Sequence, residues 1–285
     1  MMTLHGKHGP WGSWRRLRAA MLALAAVVMP VPAGALDIGF GSDYLHTPGG
    51  GPSFFDFGGP IGAVDFQGLP LDPATLGNTD TIVRRQDGCV FFFGSCDIEI
   101  EMVALSLVSV APVNVGGTFF DVFVDLDPGG LSLGEMTIHH DNPDNGTPAP
   151  EGTFSSDLLV FFRASFTEVG GSGGNDFQVL DALSLQGQGL WSHEPEPGAL
   201  LVTAPPATDG EANHHPLLIL QGLEDFHLVE SPAVHTGAGH RHTVVAASQV
   251  PEPASLALLC LALCGLLVSR GQAPAPGGPA VRARP

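Results

Sequence analysis

The stretch Ser155-Ser-Asp-Leu-Leu-Val-Phe-Phe-Arg-Ala-Ser-Phe-Thr167 alternates between two kinds of side chain. One face carries Leu158, Val160, Phe162, Ala164 and Phe166, and the other carries Ser155, Asp157, Arg163, Ser165 and Thr167. Because successive side chains of a β-strand point to opposite faces, this pattern predicts a strand with one face packed against a core.

The same pattern recurs on both sides of this stretch. Residues 97–110 and 118–127 alternate apolar and acidic side chains, and shorter β-prone runs lie at 61–66, 81–85, 133–139, 177–185 and 217–229. Turn-forming clusters rich in Gly, Pro, Asp and Asn separate them. No segment of useful length between 36 and 250 has helical periodicity. The fold class that we predict is all-β, an antiparallel β-sandwich with a jelly-roll-like arrangement.

The distribution of charge excludes one class of partner. Between residues 36 and 250 there are 28 acidic residues, four arginines and no lysine, so the formal charge of this stretch is −24. Such a surface repels phosphate backbones, and we therefore expect no nucleic-acid partner. The composition suits an extracellular protein or one that is bathed in divalent cations.

Residues 1–35 have the layout of a secretory signal peptide. Arginines within 15–18 precede an apolar core at 19–28, and Ala33 and Ala35 give a small-x-small cleavage site. The alternative is an uncleaved anchor, but the apolar core is short for a membrane span. We therefore expect the secretion machinery and signal peptidase to be partners of this segment.

Residues 250–270 carry a second feature typical of export. They begin with two prolines, continue through 254–269 without a charge, and end in arginine. At about 1.5 Å per residue, a helix over 254–269 is slightly short for a hydrocarbon core. The arginine lies where positive charge stops a membrane segment on the inner side. These features predict a single apolar transmembrane helix.

This C-terminal element resembles the PEP-CTERM sorting signal. The residues that carry the resemblance are Val250, Pro251, Glu252, Pro253 and Arg270, together with the apolar helix between them. The resemblance implies an exosortase-type membrane protease as a partner, transient anchoring in the inner membrane, and then display at the cell surface or in the extracellular matrix. Proteins with this signal are typical of Gram-negative bacteria that make extracellular polysaccharide. The chain departs from the family pattern by continuing beyond the arginine through 271–285.

The sequence therefore divides into six parts. The predicted segments are a signal peptide at 1–35, a β-sandwich domain at 36–190, a Pro-rich linker at 191–216, additional strands or a flexible stalk at 217–249, the sorting signal with its helix at 250–270, and a disordered tail at 271–285.

Two cysteines in the exported region predict a disulfide. Cys89 and Cys96 flank a hairpin-sized loop, and an oxidising compartment favours their pairing. A metal-binding pair is the alternative, but companion ligands are lacking nearby. Cys260 and Cys264 fall on the apolar helix, where we interpret them as small apolar residues.

Two groups of side chains are candidate metal ligands. The acidic group consists of Asp121, Asp125, Asp127, Asp141 and Asp144, which lie at strand ends and in loops. Oxygen ligands on loops suit Ca²⁺, although a solvated acidic surface has the same composition. His240 and His242 would share one face of a strand, as zinc and copper sites require, although histidine is also common in flexible tracts. His139 and His140 end another predicted strand, just before Asp141.

These observations favour a function without catalysis. No nucleophile elbow, metalloprotease helix or P-loop occurs in the sequence. We expect an exported surface or matrix protein with a structural, adhesive or polysaccharide-related role, and no cofactor other than Ca²⁺ as a candidate ion. The alternatives are a polysaccharide hydrolase with paired carboxylates on a jelly roll, and a histidine-based metal-binding protein.

Overall fold

A computed structural model describes residues 37–50, 52–89, 94–141, 151–171, 173–203, 210–216, 223–229 and 232–249. Fifteen strands lie in these residues: β1 Asp37–Ile38, β2 Gly41–His46, β3 Ser53–Asp56, β4 Ala63–Gly68, β5 Thr81–Arg85, β6 Ser95–Ser109, β7 Val113–Val115, β8 Thr118–Leu126, β9 Ser132–His140, β10 Gly152–Glu168, β11 Phe177–Ser192, β12 Leu223–Glu224, β13 His227–Leu228, β14 Ala233–Gly237 and β15 His240–Ala246.

The predicted alternation is confirmed in the longest strand. In β10 the even-numbered side chains from Phe154 to Phe166 are buried, and the side chains between them are exposed or half-buried. The strand is longer than the alternating stretch that predicted it, since pairing begins at Gly152. The acidic alternation at the start of β6 is confirmed in the same way, with Ile98 and Ile100 buried.

The sheet returns to its own starting point. Along its hydrogen-bonded ladders, β6 pairs with β9, β9 with β10, β10 with β11, β11 with β14, β14 with β15, β15 with β2, β2 with β5, and β5 with β6 again. All of these pairs are antiparallel. The predicted class, all-β and antiparallel, is therefore confirmed for the described part of the chain.

The long strands each serve two neighbours on the same side. The first part of β6 pairs with β9 and its last part pairs with β8, so β8 and β9 lie end to end between β6 and β10. On the opposite side, β3 and β4 form a second connection between β15 and β6. The closed sheet is therefore extended at one end by additional strands.

Phenylalanine rings fill the interior between these strands. Phe55 of β3 lies 5.1 Å from Phe66 of β4 and 5.6 Å from Phe162 of β10, measured between ring centroids. Phe57 packs edge-on against Phe166 at 5.5 Å. Each buried aromatic side chain contributes about 1.5–3 kcal/mol through apolar burial, so this cluster is a major source of stability.

The predicted disulfide is present. Cys89 and Cys96 are bonded, and their Cα atoms are 5.9 Å apart. Cys89 also forms an isolated antiparallel bridge with Ile38, so the bond joins the start of the described chain to the start of β6.

The strands between 233 and 246 belong to the same sheet as the rest. β14 and β15 occupy the interval between β11 and β2, and the described chain continues as far as Gln249. The signal-peptide residues Ala33 and Ala35, the sorting signal 250–270 and the tail 271–285 lie outside the described residues. Among the described residues, no helix has the length and apolar character needed to cross a membrane.

Three carboxylates lie directly opposite one another on the outer face of the sheet. Glu99 of β6 pairs in register with Glu135 of β9, and Glu135 pairs with Asp157 of β10. All three side chains are exposed. Like charges in directly opposed positions destabilise a sheet, so this row lowers the stability of the fold.

Replacing Glu135 by Gln should therefore stabilise the protein. We expect the free energy of unfolding to rise by about 0.2–1 kcal/mol, the usual range for one cross-strand pair, because two repulsions are removed. Urea unfolding of the purified chain measures this, and the gain should shrink in high salt. Glu194→Gln, at an exposed turn position, is the matched control. A variant no more stable than this control would show that the row carries no repulsion.

Candidate metal centre

Three strand ends meet at one end of the closed sheet. β9 ends at His140, Glu151 immediately precedes β10, and His193 immediately follows β11. The register places Gly152 opposite both His140 and Trp191. Glu151 directly precedes Gly152 and His193 follows Trp191 by two residues, so both come close to His140. Residues far apart in the sequence are thus brought together by two antiparallel ladders.

The three side chains converge on one small region. His193 Nε2 is 3.1 Å from a carboxylate oxygen of Glu151, and His140 Nε2 is 4.0 Å from the same oxygen. One ligand atom from each residue lies within 4.8 Å of the other two. The exposed fractions of the side chains are only 6% for His140, 10% for Glu151 and 7% for His193. The cluster is therefore a buried, preformed set of two imidazoles and one carboxylate.

Trp191 supports both imidazoles. The indole is fully buried and lies edge-on to His140 at 5.6 Å and to His193 at 5.0 Å. Its Nε1–H donates to the backbone carbonyl of His139 at 3.0 Å. Gly152 is required beside it, because a Cβ at that position would collide with the His139 carbonyl. The imidazoles are thus held by packing as well as by the strand ends.

The protonation pattern of His193 follows from its second contact. His193 Nδ1 is 2.9 Å from the backbone carbonyl oxygen of Asp225, which can only accept a hydrogen bond, so Nδ1 carries the proton. In the neutral ring, Nε2 then presents a lone pair toward the Glu151 carboxylate. A contact of 3.1 Å between two acceptors requires a proton between them, carried by the ring or by the carboxyl group, or a bound metal ion.

Asp225 connects this cluster to two further histidines. Its carboxylate accepts from His214 Nδ1 and His215 Nδ1, each at 2.8 Å, and from the backbone N–H of His215 at 3.1 Å. Asp225 is only 4% exposed. Burial raises the pKa of this carboxyl, but the hydrogen bonds from His215 and His214 outweigh burial and hold the pKa below its usual value.

Of the acidic residues predicted as calcium ligands, Asp141 lies beside this cluster, where its N–H donates to the backbone carbonyl of Glu151 at 3.0 Å. Asp121 and Asp125 point outward from β8, where Asp125 pairs with Arg163 at 3.4 Å. Asp127 accepts from the N–H of Gly129 in the following turn. Asp141 accepts from Thr153 Oγ1, and Asp144 lies outside the described residues. Within the described ranges, these carboxylates do not form a group close enough to hold an ion.

The two histidines predicted as a zinc or copper pair share one face of β15, but their contacts differ. His242 is 2% exposed and lies 3.0 Å from Thr47 Oγ1 through Nε2. His240 lies edge-on to Phe55 at 6.0 Å. Among the described residues, no third ligand lies close enough to His240 and His242 to complete a metal-binding group.

Glu151 and His193 are not indicated as ligands by any sequence motif. The sequence marks His140 only as the end of a predicted strand. Their proximity depends on the register of β9, β10 and β11, and strand pairing is not visible in local sequence patterns. Only His140 stands at the boundary of a predicted strand, because Glu151 lies four residues before the predicted stretch 155–167 and His193 falls in the predicted linker 191–216.

Comparison with known proteins gives no relative from which a function follows. No family model, curated protein or solved structure matches the chain. The fold and the cluster define an all-β antiparallel protein with a buried centre of two histidines and one glutamate, and its function has to be argued from that centre.

The interior histidines predict a loss of stability in acid. Burial lowers the pKa of His242 to about 4, against the opposing charge of Asp80, and burial together with the charge of His242 lowers the pKa of His235 to about 3. In the unfolded chain these rings take up protons near pH 6.5, whereas the folded protein keeps them neutral. The stability that is fully present above pH 6.5 should therefore be lost as the pH falls toward 4.

For His242 the expected loss is on the order of 3 kcal/mol by pH 4. Urea unfolding between pH 7 and pH 4 measures it, and His242→Gln should flatten the dependence. The control is His139→Gln, which replaces a half-buried histidine of β9. Equal pH slopes in the wild type and His242→Gln would contradict the prediction.

Proposed function

We propose that this chain is an exported, non-enzymatic surface or matrix protein whose β-rich body holds one divalent transition-metal ion, with Zn²⁺ as the first candidate. The ligands are His140, Glu151 and His193. The observation that carries the proposal is the convergence of these three side chains in a buried position, with His193 Nε2 facing the carboxylate at 3.1 Å.

The donor set favours zinc or a similar metal over calcium. Imidazole nitrogen and carboxylate oxygen together suit Zn²⁺ and other first-row transition metals, whereas Ca²⁺ takes oxygen ligands. His193 also has the outer contact that metal-ligating histidines usually make, since its other nitrogen donates to a backbone carbonyl. That contact orients the ring before any ion arrives.

The ion would act as a structural link between three strand ends. It would join the end of β9, the start of β10 and the residue after β11, which are parts of the closed sheet. A ligand that binds only the folded state stabilises it by about 2.7 kcal/mol at a concentration one hundred times the dissociation constant. Metal supply outside the cell would thereby tune the stability of the protein.

The export route is part of the same proposal. Signal peptidase would cleave after Ala35, and an exosortase-type protease would act near Val250-Pro251-Glu252-Pro253, after transient anchoring through 254–269. The support is the order of motifs in the sequence, and the strands from β1 to β15 all lie between these two processing sites.

The outer surface favours a polysaccharide as an extracellular partner. The exposed side chains of β10 and β11 include Thr153, Ser155, Gln186 and Gln188, which offer hydrogen bonds to hydroxyl groups. We propose that the closed sheet is a flattened, jelly-roll-like sandwich that presents this polar face. Retention of the purified chain on extracellular polysaccharide tests the proposal, and a lack of retention on every polymer, including that of the host, would count against it.

Zinc titration of the purified, chelator-treated full chain tests the metal centre. Calorimetry should show one ion per chain, and Glu151→Gln and His193→Gln should each weaken binding at least about tenfold because one of three ligands is lost. Glu194→Gln is the matched control and should bind zinc as the wild type does. Absent binding, or equal binding in all four proteins, would refute the centre and leave a protonated ion pair in its place.

The intact mass of the protein recovered from culture tests the export route. We expect a species that lacks residues 1–35 and the segment beyond the sorting motif, and that is two hydrogens lighter because of the Cys89–Cys96 bond. A product that retains 254–285 would contradict processing at the C-terminal signal.

A further inference from the structure

A small cavity lies inside the closed sheet. Its volume is about 40 Å³, which accommodates a few water-sized groups. The lining is mostly apolar and comes from several strands, with Asp43, Thr81, Ser156, His235 and His242 as polar members. Ser156 Oγ and His235 Nδ1 are buried there and have no hydrogen-bond partner among the described residues.

The segment 225–229, which we name the strap, forms part of the wall of this cavity. Its residues Phe226 and Leu228 line the cavity, and they also line a second cavity of about 20 Å³, as do Asp43 and Leu45 of β2. The strap and β2 therefore border both cavities.

Few backbone hydrogen bonds hold the strap. Among the described residues, β13 contributes the pairs of His227 with Ser192 and of Leu228 with Trp191, and the two-residue β12 just before the strap pairs with β1. Val229 donates to Leu190 at 3.3 Å, which is a long hydrogen bond. Segments with short ladders open at a lower free energy than the strands of the core.

Side-chain packing against Trp191, which supports the metal ligands, compensates for this weak backbone attachment. Phe226 stacks on Trp191 at 5.5 Å with an interplanar angle of 17°, and the guanidinium of Arg85 lies 5.0 Å from its ring centroid. Trp191 in turn contacts both His140 and His193. The strap is thus packed on the indole that supports the metal ligands.

A direct hydrogen bond makes the second connection. His193 Nδ1 donates to the carbonyl of Asp225, the first residue of the strap. A cation at Nε2 withdraws electron density from the ring and makes Nδ1–H a stronger donor. Because the coupling between two sites is reciprocal, a strap held by His193 also favours metal binding.

Asp225 also fixes the strap to a second segment of the chain. Its carboxylate is bonded by His214 and His215, and their segment 210–216 is attached to β2, where Ser42 N–H donates to the carbonyl of Ala212 at 2.9 Å. Asp225 is therefore where the metal centre, the strap and β2 are joined.

We infer that the strap is a metal-controlled closure of the interior cavity, with Asp225 as the positioning residue that transmits the state of the centre. The inference rests on the proposed metal centre. When the ion is bound, the strap is held against Trp191. When the ion is removed, the strap opens more often and exposes Ser156 and His235 to solvent.

Hydrogen exchange of the full chain, with zinc and with chelator, tests the inference. Zinc should slow amide exchange in peptides that cover 223–229 at least about tenfold, whereas exchange in the centre of β10 should change little. Asp225→Asn keeps the backbone carbonyl that accepts from His193 Nδ1 and weakens the bonds that His214 and His215 make to the side chain. It should therefore still bind one zinc ion, and the zinc-dependent protection of 223–229 should fall. Asp181→Asn, at an exposed site in β11, is the control and should behave as the wild type does.

A milder variant covers the case in which Asp225→Asn does not fold. His214→Gln removes one donor from the Asp225 carboxylate at a side chain that is 32% exposed, and it should reduce the zinc-dependent protection partially. The visible spectrum of bound Co²⁺ should be the same in the wild type and His214→Gln, because the ligands themselves are unchanged. A changed spectrum would overturn the assigned role, since it would mean that the substitution disturbs the ligands directly.

The outcomes separate this inference from the metal centre itself. Zinc binding with protection of 223–229 that depends on Asp225 supports the inference. Zinc binding with unchanged exchange in the strap, or with equal protection of all strands, overturns the inference and leaves the metal centre intact. A complete absence of zinc binding overturns both.

Discussion

The antiparallel ladder between β10 and β11 is the constraint on which both the fold and the metal centre depend. It runs from the pair Gly152–Trp191 to the pair Phe166–Phe177, and it connects two parts of the closed sheet. Side chains alternate along it, so a shift of one residue would move the buried phenylalanines to the solvent face. The same shift would separate Glu151 from His193. Core packing therefore also fixes the geometry of the ligands.

The scarcity of basic residues explains why histidine is the main partner of the buried acids. Residues 36–250 contain 28 acidic residues and four arginines, and one of these arginines, Arg85, pairs with Asp43 in the interior. Burial raises the pKa of Asp43 despite that partner. The buried acids Glu151 and Asp225 are instead in contact with imidazoles. The negative field of the whole protein further favours a cation at the centre.

Local patterns predict the long strands β6, β8 and β10, but they do not predict β2 and β3 or the assembly of the sheet. The alternation of Leu158, Phe162 and Phe166 predicted β10 because one face of that strand is covered by the core. The pairing of Cys89 with Cys96 was predicted because proximity in the chain left few alternatives. The closed circuit of the sheet was not predicted, since it depends on which distant strands become neighbours.

The candidate site shows the same limit. The i, i+2 spacing of His240 and His242 correctly predicted a shared face, but Thr47 and Phe55 occupy the positions beside them. Glu151 and His193 become neighbours of His140 only after the registers of two ladders are known. Ligand sets built across strands leave no fixed spacing in the sequence, in contrast to sites on a single helix or loop.

Zinc K-edge absorption spectroscopy on the zinc-loaded full chain tests the metal centre most directly. The predicted first shell contains two imidazole nitrogens and at least one carboxylate oxygen, with bond lengths of about 2.0–2.2 Å, and the imidazoles should give their characteristic outer-shell scattering. In Glu151→Gln that shell should lose the carboxylate. A shell of oxygen atoms alone, or one unchanged by the substitution, would contradict a centre built from His140, Glu151 and His193.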